Sequence, residues 1–236
     1  MPSYVLVHSP LVGPATWDPV AAELRRHGHP VVVPGLTPAA YLRPPYLRAA
    51  TMEAVGAVRG SGHAGEDAVV LAGHSGAGPR LPTIALALTN AGFPVVATIF
   101  VDAGLPLDGR TPREAAPPAF TDLLRDLAGA DGRLPPWSQW WGPDALAELI
   151  SDDGVRARIE AELTTVPAAL FDEPVPTPPG WRGEACAYVC FTYEDEAAAA
   201  EQRGWPTRRL GGHHLHLVTH PAEVATALVD LTSAVR

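Results

Sequence analysis

The stretch VVLAGHSGAGP, residues 69–79, runs from an apolar segment into small residues that surround one serine. We predict that a strand ends at Ala72, that a helix begins near Gly76, and that Ser75 lies on the sharp turn between them. A turn this tight strains the serine backbone, and only small neighbours tolerate that strain. It lifts the Ser75 hydroxyl above the sheet and directs the following N–H groups toward an oxygen that becomes negative.

This turn is typical of a nucleophile elbow, whose pattern is G-x-S-x-G. The match departs from the pattern at one position, because Ala77 stands where the last glycine is expected. The alternative interpretation is a Ser-Gly turn that joins a strand to a helix and carries no chemistry.

Short apolar, β-branched runs alternate with Ala- and Leu-rich helical patterns, which predicts a mostly parallel, doubly wound α/β sheet. The predicted strands are residues 4–8, 30–33, 68–72, 95–101, 187–191 and 207–210. The predicted helices between them are residues 17–27, 46–59, 76–90, 194–203 and 221–235.

The alternation breaks between residues 105 and 181, where prolines, three helical patterns (119–127, 143–150 and 155–163) and the cluster PPWSQWW occur. We predict a core of residues 1–104 and 182–236 and a helical cap of residues 105–181. Such a cap lies over the carboxyl ends of the strands, where ligands bind in open α/β sheets. We assign Trp137, Trp140 and Trp141 to an apolar substrate pocket, because these side chains are costly to leave in water. The alternative is a pair of surface helices.

Five segments together resemble the alpha/beta-hydrolase family, and within it the small plant-esterase and hydroxynitrile-lyase type. They are YVLVHSPLVGPATWDPV (4–20), VVVPGL (31–36), the elbow, TIFVDAGLP (98–106) and GGHHLHLVTHPAEV (211–224). The cap matches poorly. The resemblance implies the alpha/beta-hydrolase fold with a serine nucleophile, a histidine base and a carboxylate acid.

The histidine is expected in the loop after the last strand, where His213, His214, His216 and His220 follow one another closely. In similar family members the base stands seven residues before the proline that opens the final helix, which here indicates His214, with His213 as the fallback. A zinc site in this run lacks cysteine or carboxylate ligands at suitable spacing, so we predict no metal.

The acid has two candidate positions. Most family members place it after the penultimate strand, where Glu194 and Asp195 stand, but no loop separates them from the helix that follows. Asp102 ends the strand after the nucleophile helix, and an aspartate at the end of a buried apolar strand needs a partner such as a histidine N–H. We therefore favour Asp102.

The oxyanion site departs from the family pattern. One donor is expected to be the N–H of Gly76. In relatives with an HG-x loop after the first strand, the second donor is the N–H of the residue after that glycine. This chain has Pro10 at that position, and proline has no N–H. We expect Leu11 N–H or the hydroxyl of Ser9 to substitute, and we also count Ser9 among the substrate-binding residues.

Composition narrows the function further. The 236 residues carry a formal net charge of −9 without a basic cluster, which argues against nucleic acid or an anionic membrane as a partner. The basic residues are all arginine, so Schiff-base chemistry and a phosphate-loop lysine are excluded. We expect a small-molecule substrate and no cofactor, and the sequence leaves a homodimer open.

The cellular location is expected to be the cytoplasm. Cys186 and Cys190 lie four residues apart on one predicted strand, too far from each other to form a disulfide. The first strand leaves no room for a signal peptide, and no apolar run reaches the roughly 20 residues of a membrane span.

Taken together, these patterns predict a serine hydrolase that cleaves an ester or thioester of a small, moderately apolar molecule. A non-hydrolytic lyase or cyclase of secondary metabolism is the alternative, and the proline at position 10 motivates it. A ligand-binding module with the same pocket is the third hypothesis, because a fold alone does not determine function.

Overall fold

The computed structural model describes residues 1–36, 43–62, 68–142 and 144–235. Its strands are β1 (Ser3–Val7), β2 (Val31–Val32), β3 (Val69–His74), β4 (Val95–Val101), β5 (Arg133–Leu134), β6 (Val166–Pro167), β7 (Cys186–Cys190) and β8 (Thr207–Arg209). Six of them form one sheet in the order β2-β1-β3-β4-β7-β8, and every neighbouring pair in it is parallel. Strands β5 and β6 form a separate antiparallel pair. The predicted doubly wound α/β fold is confirmed.

The helices cover both faces of the sheet. They are α1 (Asp18–Arg26), α2 (Tyr46–Gly60), α3 (Leu81–Asn90), α4 (Pro112–Ala115), α5 (Pro118–Leu127), α6 (Ala145–Leu149), α7 (Asp153–Glu162), α8 (Glu194–Gln202), α9 (His216–Thr219) and α10 (Pro221–Ala234). None of the helices in the described residues is both long and apolar enough to cross a membrane.

Two apolar layers hold the helices on the sheet, because successive strand residues point to opposite faces. Val5 and Leu71 pack in the layer beneath α2, α3 and α8. Tyr4 and Val70, their neighbours in sequence, pack in the layer beneath α1 and α10. Burial on both faces explains why the inner strands β1, β3, β4 and β7 are almost continuously apolar.

Strands β5 and β6 were not predicted from the sequence, and the six strands of the main sheet differ from the prediction at their ends. Strand β3 extends to His74, which pairs with Val101 of β4, so the sheet continues up to the serine itself. The helix predicted at residues 76–90 begins as a 3₁₀ helix, Ser75–Arg80, and becomes α-helical only at Leu81. Pro79 stands inside that first segment and lacks the N–H that an α-helix would use.

The segment between β4 and β7 carries the helices α4 to α7 and the β5–β6 pair. Two carboxylates join it to the rest of the chain: Glu162 accepts a hydrogen bond from Ala15 N–H at 2.8 Å, and Glu173 accepts one from Leu47 N–H at 2.7 Å. The predicted helix at 143–150 is observed from Ala145, and residue 143 lies outside the described residues. The division into a core and a cap stays a prediction.

The elbow requires a glycine at position 78. A Cβ atom there would lie 2.0 Å from the carbonyl oxygen of Gly104, which belongs to the backbone and has little room to move. We expect Gly78→Ala to lower the free energy of unfolding by about 1–3 kcal/mol in urea denaturation.

A matched control is Gly56→Ala, because position 56 lies inside α2 and a Cβ there meets no atom within 4 Å. This variant should be more stable than the parent by roughly 0.5–1 kcal/mol. Equal stability of the two variants would contradict the close approach at position 78.

Candidate active site

Ser75 lies at the carboxyl end of β3 with a φ of 56°, a left-handed conformation that non-glycine residues seldom adopt. The strain is local, because the residue before it closes a strand and the residues after it form the 3₁₀ helix. A positive φ at a residue with a side chain costs free energy and persists only where the surrounding structure holds it. The conformation agrees with the elbow that the sequence predicts.

Three side chains that are far apart in the sequence meet at this turn. The imidazole Nε2 of His214 lies 2.9 Å from Ser75 Oγ, and its Nδ1 lies 2.7 Å from Asp102 Oδ2. Because a carboxylate can only accept, Nδ1 carries the proton and Nε2 accepts from the serine hydroxyl. The structure therefore brings together all three residues that the sequence nominates for a triad.

The carboxylate of Asp102 is fully buried and has a partner in every direction. Its Oδ1 accepts from the N–H groups of Phe191, Thr192 and Tyr193 at 2.8, 2.7 and 2.9 Å. Its Oδ2 accepts from the Thr192 hydroxyl at 2.7 Å and from His214. Burial by itself would raise the pKa of Asp102, but the hydrogen bonds from His214 and from the Thr192 and Tyr193 backbone lower the pKa well below its usual range.

The turn after β7 explains why no carboxylate of its own reaches His214. Strand β7 ends at Cys190 and α8 begins at Glu194, so only three residues lie between them. None of these three residues has a carboxylate, and their backbone N–H groups all donate to Asp102. Glu194 makes an ion pair with Arg209 at 3.0 Å, and no contact of Asp195 with His214 is observed among the described residues.

The imidazole of His214 is held between two rings. The ring of Tyr193 stacks on it with centroids 5.0 Å apart, and the ring of His74 lies on it at 4.6 Å. The His74 Nε2–H also donates to the carbonyl of His214 at 2.9 Å. The sequence analysis missed Thr192, Tyr193 and His74 as site residues. Each of them follows the end of a predicted strand by one or two residues, and this position was the available signal.

His8 and His74 are buried and electrically neutral. Burial lowers the pKa of His8 to about 4, and burial together with the nearby His214 lowers the pKa of His74 to about 3. Neutral His8 has a defined tautomer: Leu36 N–H donates to its Nε2 at 3.1 Å, so its Nδ1–H donates to the carbonyl of Ser9 at 2.8 Å. This bond anchors the loop after β1.

That loop faces the serine turn. Pro10 offers no N–H, and Leu11 N–H donates to Ser9 Oγ at 3.3 Å. Ser9 is buried, and a Cβ atom at Gly76 would lie 3.1 Å from its Oγ. The predicted donor Leu11 N–H is thus already hydrogen-bonded to a side chain, while Gly76 lies directly after the serine at the start of the 3₁₀ helix.

A mostly apolar cavity of about 1000 Å³ opens at Ser75 and His214. Ser9, Leu11, Ser75, Gly76 and His214 form its floor. Trp137, Trp140 and Trp141 also line it, as the sequence predicts, together with Phe120 and Phe171. Trp140 is buried and donates its indole N–H to the Pro135 carbonyl at 2.9 Å, whereas Trp141 is 57% exposed.

The other histidines of the C-terminal loop have separate partners. His213 bonds to Thr219 at 3.2 Å, His216 bonds to Glu223 at 3.2 Å, and the rings of His216 and His220 stack at 4.3 Å. No cluster of three metal-binding side chains occurs within the residues that the structure covers.

Comparison with protein families decides the family of the chain. A model described as the alpha/beta hydrolase family matches residues 4–227. The chain belongs to the alpha/beta hydrolase family. Comparison with curated proteins gives no match. The resemblance noted in the sequence is therefore confirmed, as is the expectation of an enzyme of this family.

Solved structures of this alpha/beta hydrolase fold are similar over almost the full length. An extracellular alpha/beta-hydrolase from a Paenibacillus species is 19% identical, with 98% of this chain and 99% of that chain covered and a TM-score of 0.76. A pyrethroid hydrolase from Sphingobium faniae is 18% identical, with coverage of 99% and 98% and a TM-score of 0.70. Methylketone synthase I from tomato is 15% identical, with coverage of 100% and 99% and a TM-score of 0.68. At this identity the likeness shows the fold.

The buried neutral histidines predict that this hydrolase is sensitive to acid. Because the pKa values of His8 and His74 lie below the unfolded value of about 6.5, the unfolded chain binds more protons than the folded chain at lower pH. The free energy of unfolding should therefore fall as pH drops below about 6.5, by up to about 1.4 kcal/mol per pH unit for each histidine.

His74→Gln tests this, because the amide keeps a donor for the His214 carbonyl and does not titrate. Urea denaturation between about pH 7 and pH 5 should give a shallower slope for this variant than for the parent. His27→Gln is the control, since His27 is exposed. A His74→Gln slope equal to that of the control would contradict the prediction.

Proposed function

We propose that the protein is a serine hydrolase that cleaves an ester or thioester of a small, moderately apolar molecule. The observation that carries this proposal is the continuous hydrogen-bonded chain from Ser75 through His214 to the buried carboxylate of Asp102. Such a chain activates a hydroxyl that is otherwise a weak nucleophile at neutral pH.

In the acylation step, Ser75 Oγ attacks the carbonyl carbon and passes its proton to Nε2 of His214. The carbonyl electron pair moves onto oxygen, and Gly76 N–H stabilises the resulting charge at the start of the 3₁₀ helix. Asp102 orients the ring and stabilises the imidazolium without taking its proton. When the tetrahedral intermediate collapses, the bond to the leaving alcohol or thiol breaks, and His214 returns the proton to it.

Deacylation repeats these steps with water as the nucleophile. His214 removes a proton from water as its oxygen attacks the acyl carbon, and the bond to Ser75 then breaks with return of that proton to Oγ. The surroundings suit both steps, because the stacked ring of Tyr193 and the tilted ring of His74 hold the imidazole with its Nε2 directed at Oγ. A fixed ring lowers the entropy cost of reaching the reactive geometry.

The cavity supports an apolar substrate. Its aromatic and proline-rich lining and its volume of about 1000 Å³ fit a molecule with an aromatic or branched aliphatic part, held by residues of the proposed cap. One of the similar structures is named a pyrethroid hydrolase, which agrees with this choice. Cytoplasmic location stays a prediction from the sequence.

One observation favours a second candidate, a non-hydrolytic lyase or cyclase. The loop after β1 has Pro10 where the family pattern places a backbone donor, so the usual pair of N–H groups is incomplete. Methylketone synthase I, one of the similar structures, is named as a synthase. Such an enzyme would not turn over activated esters, but it would lose its own reaction when His214 is changed to alanine.

Labelling with a fluorophosphonate tests the proposed nucleophile. We expect one covalent adduct on Ser75, identified by peptide mass spectrometry, and no adduct on Ser75→Ala or after loss of the base in His214→Ala. A folded protein that remains unmodified at Ser75 would overturn the serine hydrolase proposal and leave the lyase or a ligand-binding module.

The role of the acid is tested by Asp102→Asn. The amide reverses the hydrogen bond to the imidazole and favours the wrong tautomer, so kcat on p-nitrophenyl butyrate should fall by roughly 10³–10⁴-fold. Asp195→Asn is the matched control, because Asp195 lines the same cavity without a bond to His214. Near-normal kcat in Asp102→Asn, or a comparable loss in the control, would reassign the acid.

A further inference from the structure

We propose that the side-chain hydroxyl of Ser9 is the second oxyanion donor of this site, and that Leu11 N–H acts behind it rather than on the substrate. The proposal rests on the proposed serine hydrolase function. It replaces a donor of the main chain with a two-step relay, from Leu11 N–H to Ser9 Oγ and from the Ser9 hydroxyl to the oxyanion.

The need for such a donor follows from position 10. A developing oxyanion is usually held by two donors, and loss of one typically lowers the rate by about 10²–10³-fold. Pro10 follows Ser9 directly and has no N–H to offer. A hydroxyl near position 10 is the nearest chemical substitute, because it has one hydrogen that rotates about the C–O bond to face an acceptor.

The hydrogen bonds of Ser9 leave that hydrogen available. Its Oγ accepts from Leu11 N–H at 3.3 Å, which occupies one lone pair. Among the described residues, no acceptor lies within hydrogen-bond distance of the Ser9 hydroxyl hydrogen. Ser9 is 2% exposed and lines the substrate cavity, so the direction left for this hydrogen is toward a bound substrate. A buried hydroxyl without an acceptor is unfavourable until a ligand supplies one.

The position of Ser9 relative to the first donor fits the proposal. The 3.1 Å from Ser9 Oγ to the place that a Gly76 Cβ would occupy puts the hydroxyl directly beside the residue that follows the nucleophile. Both residues line the cavity next to Ser75. The proposal places the substrate carbonyl oxygen between Gly76 N–H and the Ser9 hydroxyl.

The loop that carries Ser9 is held in place before substrate binds. The backbone carbonyl of Ser9 accepts hydrogen bonds from His8 Nδ1–H at 2.8 Å and from Val12 N–H at 3.2 Å. Pro10 further restricts the backbone between them. A donor with a fixed position needs little reorganisation when charge develops, which is the property that makes oxyanion donors effective. The bond from Leu11 also polarises the Ser9 hydroxyl and strengthens it as a donor.

No proton is transferred to or from Ser9 in this scheme. The proton of Ser75 goes to His214, the carbonyl electron pair moves to oxygen, and Ser9 gives a hydrogen bond that strengthens as this charge grows. Ser9 thus acts on the transition state more than on the bound substrate. That difference separates it from a residue that only binds substrate, whose loss would raise KM with kcat unchanged.

The experiment compares four proteins on p-nitrophenyl butyrate: the parent, Ser9→Ala, Ser9→Gly and the double variant Ser9→Gly/Pro10→Ala. Both single variants should lose about 10–10³-fold in kcat with little change in KM. The double variant gains an N–H at position 10 and should recover at least tenfold over Ser9→Gly. Ser233→Ala, at an exposed serine of α10, is the control and should match the parent.

A second readout is the affinity for an alkyl trifluoromethyl ketone, which forms a charged hemiketal with the nucleophile. Its inhibition constant should rise in Ser9→Ala by about the same factor as kcat/KM falls. Near-parental kcat in Ser9→Ala, a change confined to KM, or an unchanged ketone affinity together with no recovery in the double variant would each overturn the role of Ser9.

The two proposals fail in different ways. If fluorophosphonate does not label Ser75 in the parent, the serine hydrolase function is wrong. If the parent is labelled and active but Ser9→Ala behaves as the parent does, the hydrolase function stands and the relay is wrong. Urea denaturation of each variant separates loss of activity from loss of folding, and a folded double variant still decides the question if Ser9→Ala does not fold.

Discussion

The structure of this site depends on one buried charge, the carboxylate of Asp102. An ionised aspartate without solvent contact is stable only where hydrogen bonds replace water, and here three backbone N–H groups, one hydroxyl and one imidazole do so. These partners come from the turn between β7 and α8 and from the loop after β8. The hydrogen bonds to this carboxylate therefore fix both segments relative to the end of β4. His214, which contacts Ser75, is one of the side chains held in this way.

The parallel sheet collects the remaining parts at the same edge. Ser9 follows β1, Ser75 follows β3, Asp102 follows β4 and Thr192 follows β7, so every one of them leaves a strand at its carboxyl end. Neighbouring parallel strands end side by side, which places residues from distant parts of the sequence within hydrogen-bond distance. Residues of the segment between β4 and β7, among them Trp137, Trp140 and Trp141, then line the mostly apolar cavity at this edge.

The site combines strain with rigid support. Ser75 and Asp102 both have positive φ, at 56° and 42°, and such conformations persist only where the surroundings hold them. The support comes from neutral buried rings: His8 anchors the loop after β1, and His74 packs against His214 from below. Both rings are neutral in the folded chain and take up a proton on unfolding at low pH. We therefore expect the free energy of unfolding to fall as the pH is lowered.

Local patterns in the sequence were enough to predict the alternating strands and helices and the serine turn, because each depends on residues close together in the chain. Five segments spread over most of the chain indicated the family. They also nominated His214 and favoured Asp102, although their catalytic roles stay proposals. Only the tertiary structure showed that residues 191–193 direct their N–H groups at Asp102 and that Tyr193 and His74 enclose the imidazole of His214. The physical reason is that hydrogen bonds and ring contacts between segments about a hundred residues apart depend on how strands are placed side by side, and no local periodicity records that placement.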